Sequence, residues 1–259
     1  MNRLLSKVEW VRPPRQTRSQ ETLERLLDAA EEVFGERGFE AATVAEVVRR
    51  ARSSVGAMYA RFTDKDALLS CLHDRFCEEA LATADMALEA DRWEGASIAE
   101  IFAEVIPFLV AVYQQKRGLV RAFIVRGSND PQFAESASRL GKHISERLTE
   151  LLLDRREEIT HPDPAVAVDF GLRMMFDTLD QSTLFADVER MTHPLTPQET
   201  ARELIRLYLS YLGVERTLAE QGLSVPAQGS DIPVQGLAIP EQGLAIPEQG
   251  LAGQEVSST

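Results

Sequence analysis

The chain has 259 residues, of which 44% are hydrophobic and 27% are charged, and its formal net charge is −13. This is an ordinary globular composition, with enough residues for a small domain and a larger one. No segment suggests a transmembrane span, and the first 20 residues lack the apolar core of a signal peptide. We therefore expect a cytoplasmic protein with no membrane partner.

The positive charges are concentrated near the N-terminus. The first 20 residues hold five basic residues against the single acid Glu9, and five more basic residues lie between Arg49 and Lys65. Because phosphate contacts need local positive charge, this distribution permits DNA binding despite the negative total. We predict a basic arm over residues 1–17. An acidic body would repel nonspecific DNA, which favours a specific regulator over a chromatin-packing protein.

The first predicted helix runs from about Ser19 to Arg37 and stops at Gly38, which can adopt the left-handed conformation that ends helices. Its apolar residues recur at helical spacing and would line one buried face. They are Leu23, Leu26, Leu27, Ala30 and Phe34.

A helix-turn-helix pattern follows. Thr43 and Glu46 form a capping box, so a helix should begin at Val44. Its apolar residues are Val44, Val47, Val48 and Ala51, and after a short turn the same spacing recurs at Val55, Met58, Tyr59 and Phe62. Two short amphipathic helices joined by about three residues place the second helix in a DNA major groove.

The run AAEEVFGERGFEAATVAEV followed by SSVGAMYARFTDKDALL resembles the N-terminal domain of the tetracycline-repressor (TetR) family over roughly residues 18–70. The resemblance implies an all-α fold, with a three-helix DNA-binding domain over residues 18–63 and a six-helix ligand-binding and dimerisation domain over residues 64–216. It also implies a dimeric transcriptional regulator, most often a repressor. Such a protein binds palindromic operator DNA and is released by a small-molecule effector.

The resemblance assigns ten residues to the DNA interface. Gly56 and Ala57 would let the recognition helix approach base edges, and the hydroxyl of Tyr59 and the ammonium of Lys65 would contact phosphates. The full set is Thr43, Arg52, Ser53, Ser54, Val55, Gly56, Ala57, Tyr59, Arg61 and Lys65. Val55, Met58 and Phe62 are expected in the core, Tyr59 has a core alternative, and Arg61 could equally be a solvated arginine.

One departure from the family pattern concerns the turn. Arg52 stands where the family usually has glycine, and a non-glycine residue in a left-handed position costs about 1 kcal/mol or more. The turn could therefore differ in shape from that of the family.

The rest of the body is predicted to contain six helices. The fourth would run from Asp64 to about Ala90, capped by Thr63, and the fifth would begin after a capping box of Ser97 and Glu100. A short apolar segment covers residues 119–125. Three N-cap and proline pairs mark the last three helix starts, and these helices should end near residues 159, 186 and 216. The pairs are Asp130-Pro131, Asp163-Pro164 and Thr196-Pro197.

The last two helices are the expected dimer interface. The resemblance pairs them with those of a second subunit, and apolar residues including Leu204, Leu207, Tyr208 and Tyr211 would need a partner surface. A two-fold dimer also reads two half-sites and so gains specificity.

Candidate effector contacts lie along the rear helices. Aromatic and methionine residues at helical spacing are either core or pocket lining, and polar residues on the eighth helix could orient a polar or cationic ligand or lie at the dimer interface. The candidates are Phe102, Phe108, Phe123, Met174, Met175, Asp177 and Gln181. We expect no cofactor and no metal, because the histidines are scattered. Cys71 and Cys77 lie too far around one helix to bridge each other.

Residues 217–259 contain a seven-residue repeat with recurring glycine and proline, which forbids a continuous helix. We predict a disordered tail, either an expanded repeat without a folded role or a weak partner-docking segment. The alternative function for the chain is a helix-turn-helix protein that acts through protein association or DNA organisation. No motif supports an enzyme.

Overall fold

A computed structural model describes residues 17–185 and 192–214. These residues form nine α-helices and no strands, which confirms the all-α prediction. The helices are α1 (Thr17–Arg37), α2 (Val44–Arg50), α3 (Val55–Tyr59), α4 (Lys65–Ala87), α5 (Ile98–Gln115), α6 (Arg117–Gly127), α7 (Pro131–Leu153), α8 (Pro164–Leu184) and α9 (Pro197–Leu212). The repeat tail and residues 1–16 of the basic arm lie outside the described residues. Helix α8 ends within two residues of the expected end at residue 186, but α9 ends at Leu212 rather than near residue 216, because Gly213 adopts the left-handed conformation that ends a helix.

Most helices begin where the predicted caps lie. The Thr43 and Ser97 capping boxes form, and the side chains of Asp130, Asp163 and Thr196 accept backbone N–H groups at the starts of α7, α8 and α9. These contacts span two or three residues, so the local sequence is enough to specify them.

The cap predicted for α4 is wrong by one residue. Asp64, not Thr63, is the N-cap, and its carboxylate accepts the Ala67 N–H at 2.7 Å. A carboxylate at this position is also stabilised by the positive end of the helix dipole. The Thr63 hydroxyl donates instead to the Asp64 carboxylate at 3.2 Å.

Helix α7 ends at Leu153, before the predicted end near Ile159, and a short 3₁₀ turn follows over Arg156–Glu158. Distant contacts explain the early end. The guanidinium of Arg155 donates to the carbonyls of Trp93 and Ala96. The N–H groups of Thr160 and His161 donate to the Leu212 carbonyl at 3.0 and 3.1 Å, which turns the chain toward the end of α9.

Two apolar cores organise the molecule. We call α1 to α3 the head and α4 to α9 the body. The head core contains buried residues of α1 to α4 together with Leu119, Ala122, Phe123 and Phe133 from α6 and α7. The rear core is built mainly from α5, α7, α8 and α9. The first half of α4 therefore packs against α1 to α3, and α6 and α7 contribute the remaining side chains of the head core.

The junction between head and body is tightly packed. A Cβ atom at Gly118 of α6 would lie 2.6 Å from the carbonyl oxygens of Phe34 and Gly35, so α6 meets the end of α1 backbone to backbone. Beside this contact, the Glu31 carboxylate of α1 binds Arg75 of α4 at 2.6 Å and also binds Lys116. These ion pairs lower the pKa of Glu31 against the opposing effect of its burial.

Helix α5 is an exception to the expectation that no segment is long and apolar enough to span a membrane. By length and composition, α5 could cross a membrane, and it is the one such helix among the described residues. Its residues Ile98, Ile101, Phe102 and Ile106 are buried in the rear core. Its apolarity is therefore that of a helix surrounded by other helices.

Candidate nucleic-acid interface

Helix α2 is fixed to α1 by charged side chains and by its own cap. The Thr43 hydroxyl accepts the Glu46 N–H at 3.2 Å, and the Glu46 carboxylate accepts the Thr43 N–H at 3.0 Å. These hydrogen bonds, followed by nearby arginine charges, lower the pKa of Glu46. Arg50 at the end of α2 binds Glu36 at 2.7 Å and Glu32 at 3.0 Å, both on α1.

The turn between α2 and α3 keeps the left-handed conformation although it lacks glycine. Arg52 has φ of 48°, and the Ser53 N–H donates to the Val48 carbonyl at 2.9 Å. The alternative of a differently shaped turn is therefore not observed. The Arg52 side chain is exposed.

Helix α3 turns one face inward and one outward. Its N-cap Ser54 accepts the Ala57 N–H at 3.1 Å, and Met58 and Phe62 are fully buried in the head core. Val55 is 48% exposed and Tyr59 is 50% exposed, so the core expectation for Val55 is wrong, as is the core alternative for Tyr59. Around the axis of α3, residue 55 lies about 60° and residue 59 about 100° from the buried residue 58, and Phe62 follows the end of the helix.

Lys65 and Arg61 have partners within the protein. The Lys65 ammonium donates to the carbonyls of Phe39, Ala42 and Glu40, and it lies 4.3 Å from the centroid of the Phe39 ring. The Arg61 guanidinium donates to the Ala57 carbonyl at 2.9 Å. The other predicted DNA contacts of the turn and of α3 lie within residues 52–59, where Arg52, Ser54, Val55, Gly56 and Tyr59 are exposed.

The seven candidate effector residues do not come together. Phe102 and Met175 are buried in the rear core, Phe108 lies beside Ala80 and Val112, and Phe123 belongs to the head core. Met174, Asp177 and Gln181 are exposed on the outer side of α8. The seven residues therefore do not line one common pocket, because they lie on separate helical faces, and their role in effector binding stays a prediction.

A polar pair lies inside the body, between α5 and α8. The Tyr113 hydroxyl of α5 donates to the Asp180 carboxylate of α8 at 2.9 Å, and burial raises the pKa of Asp180. The sequence signal for Tyr113 is a single hydroxyl near the end of a very apolar helix. Its partner lies 67 residues away and cannot be identified from spacing.

An open cleft of about 310 Å³ lies between α4, α6 and α7. Arg126 spans its wall, with contacts to Asp66 at 2.9 Å and to Asp130 at 3.3 Å. Burial lowers the pKa of the cleft residue His73 to about 4 and raises that of its neighbour Asp74 to about 6.

The cysteines and acids do not form a reactive or metal-binding centre within the described part of the chain. Cys71 and Cys77 are free and buried, and burial raises the pKa of Cys71 to about 12 and that of Cys77 to about 11. Neither thiol is activated as a thiolate. No group of three or more metal-ligating side chains occurs in residues 17–185 and 192–214.

The outer faces of α8 and α9 carry a second notable surface. Exposed apolar side chains recur at helical spacing on α8, and two more are exposed on α9. The Phe170 ring of α8 and the Tyr211 ring of α9 lie 5.9 Å apart. We call this surface the α8–α9 apolar face. Its residues are Val166, Phe170, Met174, Leu207 and Tyr211.

Comparisons with known proteins agree with this architecture. The sequence model of the family "Bacterial regulatory proteins, tetR family" matches residues 26–71, which include α2, the turn and α3. The transcriptional regulator UidR of Escherichia coli is 30% identical over 143 residues, which cover 55% of this chain and 68% of that protein. The transcriptional repressor BdcR of Escherichia coli is 31% identical over 156 residues, which cover 59% of this chain and 74% of that protein.

Solved structures share the fold. A TetR-family regulator from Mesorhizobium loti has a TM-score of 0.60 at 19% identity, over 77% of this chain and 98% of that one. FadR from Bacillus subtilis, solved in complex with stearoyl-CoA, has a TM-score of 0.51 at 19% identity, over 74% of this chain and 98% of that one. The chain belongs to the TetR family of transcriptional regulators.

Proposed function

We propose that this protein is a cytoplasmic, dimeric repressor that binds palindromic operator DNA and leaves it when a small-molecule effector binds the body. The observation that carries the proposal is the outer face of α3. Val55, Gly56 and Tyr59 are exposed there, while Met58 and Phe62 anchor the helix from behind.

The chemistry of this face suits a major groove. Gly56 has no side chain to obstruct the bases, and the Ala57 methyl can contact a thymine methyl. Exposed Arg52 and Ser54 and half-buried Ser53 precede the helix, where they can reach phosphates at the groove edge. At the start of α2, the Thr43 cap and the free backbone N–H groups of the first turn can hold another phosphate.

A binding measurement tests the DNA interface. Fluorescence anisotropy with a labelled duplex covering the promoter of the protein's own gene should show specific binding. Tyr59→Phe should weaken it about fivefold, because one hydrogen bond to a phosphate contributes about 1 kcal/mol. Affinity of Tyr59→Phe equal to that of the wild-type protein would remove Tyr59 from the interface.

The proposed dimer rests on the α8–α9 apolar face. An exposed apolar surface of this extent is unfavourable in water, and a second copy would cover it symmetrically. Two recognition helices would then address two half-sites about one helical turn apart. Exposed Asp177 and Gln181 on α8 fit the rim of such an interface better than they fit an enclosed pocket.

The proposed effector site lies in the body around Tyr113 and Asp180. A hydrogen-bonded pair in apolar surroundings can orient a ligand that offers a hydrogen-bond donor or a positive charge. The stearoyl-CoA complex of Bacillus subtilis FadR illustrates small-molecule binding within this fold. Native mass spectrometry of the purified protein should reveal a co-purifying compound, and Asp180→Asn should reduce its occupancy.

A further inference from the structure

The position of Lys65 indicates a role different from direct phosphate binding. Its ammonium donates to the carbonyls of Phe39 at 2.7 Å, Ala42 at 3.1 Å and Glu40 at 3.4 Å. An ammonium group has three donors, and three loop carbonyls already use them. We infer that Lys65 is a positioning residue for DNA binding, which holds the α1–α2 loop and the start of α2 in place. This inference rests on the proposed DNA-binding function.

The aromatic ring of Phe39 anchors this contact to the head core. The Lys65 ammonium lies 4.3 Å from the centroid of the Phe39 ring, which is within the range of a cation–π interaction. The Phe39 ring in turn packs edge-on against Phe34, with centroids 5.2 Å apart. Lys65 therefore connects the loop to a buried side chain of α1.

The place of Lys65 in its own helix supports the same role. It is the first residue of α4, where the positive end of the helix dipole disfavours a cation. The partial negative charges of the three carbonyls offset this cost. The contacts with the loop carbonyls therefore account for a lysine at this position, whereas the dipole of α4 does not.

The loop held by Lys65 leads directly to a proposed phosphate contact. Ala42 immediately precedes Thr43, the N-cap of α2, and the Ala42 N–H donates to the Gly38 carbonyl at 3.2 Å. The same lysine begins α4, which runs from the head toward the body. Lys65 therefore links the start of α4 to the N–H groups at the start of α2.

The salt dependence of DNA binding separates positioning from phosphate contact. Lys65→Met keeps most of the stem but removes the donors. We expect at least tenfold weaker binding to the promoter duplex, with an unchanged slope of affinity against salt between 50 and 200 mM KCl. A slope reduced by about 0.9 would indicate one lost phosphate contact and would overturn the inference, as would unchanged affinity. Lys142→Met, an exposed lysine of α7, is the matched control and should bind normally.

Chemical rescue tests whether the ammonium itself is needed. Lys65→Cys treated with bromoethylamine regains an ammonium on a stem of lysine length, whereas bromoethanol adds a neutral group of similar size. Only the first treatment should restore affinity, and recovery with both would overturn the inference. Cys71 and Cys77 are buried, and treated wild-type protein shows whether they react.

Hydrogen exchange tests the loop without DNA. Peptides covering residues 38–46 should exchange faster in Lys65→Met than in wild type, and aminoethylation of Lys65→Cys should slow the exchange again. Unchanged exchange in this loop would overturn the inference. Failure of the wild-type protein to bind the duplex would instead count against the proposed function, so the two failures are distinguishable.

Discussion

Arg52 is the one non-glycine residue with positive φ in the described part of the chain, at 48°. Its Cβ crowds the backbone in this conformation, and glycine would avoid that crowding. The tertiary structure sustains the conformation, because α2 and α3 are both anchored in the head core and the Ser53 N–H bonds to the Val48 carbonyl. The turn therefore stores a small local strain.

Replacing this residue should relieve the strain. Arg52→Gly should raise the free energy of unfolding by up to about 1 kcal/mol, measured by urea denaturation. Arg52→Ala keeps the Cβ and is the control, so it should give no comparable gain. Equal stability of the two variants would show that the backbone at residue 52 carries no strain.

Burial changes the protonation equilibrium of the His73 side chain. Its ring stacks on Phe133 with centroids 3.8 Å apart, meets Phe123 edge-on and lies 3.4 Å from the Cys77 sulfur through Nε2. Burial lowers its pKa from 6.5 to about 4, so the neutral form is favoured in the folded protein. The unfolded chain then binds more protons than the folded protein between these two pH values.

This difference predicts a pH dependence of stability. The contribution of His73 is fully present above about pH 6.5 and is lost as the pH falls toward 4, with a limiting slope of about 1.4 kcal/mol per pH unit. Asp74 has the opposite effect, because its pKa is raised to about 6 and the folded protein therefore gains stability as the pH falls from 6 to 3.8. His73→Phe should therefore lose less stability than wild type on acidification, measured by urea denaturation at several pH values. Parallel pH profiles would contradict this prediction.

The apolar side chains of α8 and α9 are divided between the rear core and the exposed α8–α9 apolar face. Leu204 and Tyr208 are buried in the protein's own rear core, so they do not need a partner as the sequence suggested. Leu207 and Tyr211, at 60% and 36% exposure, lie on the α8–α9 apolar face. Only part of the apolar periodicity is therefore available for a second copy.

A charge placed on this face should prevent dimerisation. Phe170→Glu would put a carboxylate in the proposed interface, where removal from water is costly. Sedimentation velocity at micromolar concentration should show a monomer with unchanged helicity, and its affinity for the promoter duplex should fall. Val125→Glu, at an exposed apolar residue of α6, should remain dimeric. A dimer of Phe170→Glu as stable as wild type would exclude this face as the interface.

The head and the body share an apolar core and a set of ion pairs. Side chains of α6 and α7 complete the head core, and the Glu31 ion pairs join α1 to α4 and to Lys116 beside α6. Separating head from body would expose these apolar residues and break the ion pairs. We therefore expect both parts to unfold in one transition.

The glycine at the junction gives a specific test. Gly118→Ala would force α6 away from α1, because its Cβ would lie 2.6 Å from two carbonyl oxygens, and should destabilise the protein by about 1 to 3 kcal/mol. Gly141→Ala in α7 has open space around its Cβ and should stabilise by about 0.5 to 1 kcal/mol. Urea denaturation measures both. A neutral Gly118→Ala would show that the backbone contact between α1 and α6 is not close in solution.

Most helix starts and the family relation could be predicted from local sequence. The caps at Thr43, Ser97 and Asp163 could be predicted because each hydrogen bond joins atoms three residues apart. The helix-turn-helix pattern likewise depends on spacing within about twenty residues. The family relation and the all-α fold followed from these local signals.

The partner that each side chain meets depends on tertiary packing and could not be predicted from the sequence. Val55 lies outside because the packing of α3 is centred on Met58, and Lys65 meets carbonyls 23 to 26 residues earlier in the chain. The Tyr113 and Asp180 pair joins two helices 67 residues apart. Helical periodicity shows that a residue shares a face with its neighbours, but the direction of that face depends on how distant helices pack, and local sequence does not encode it.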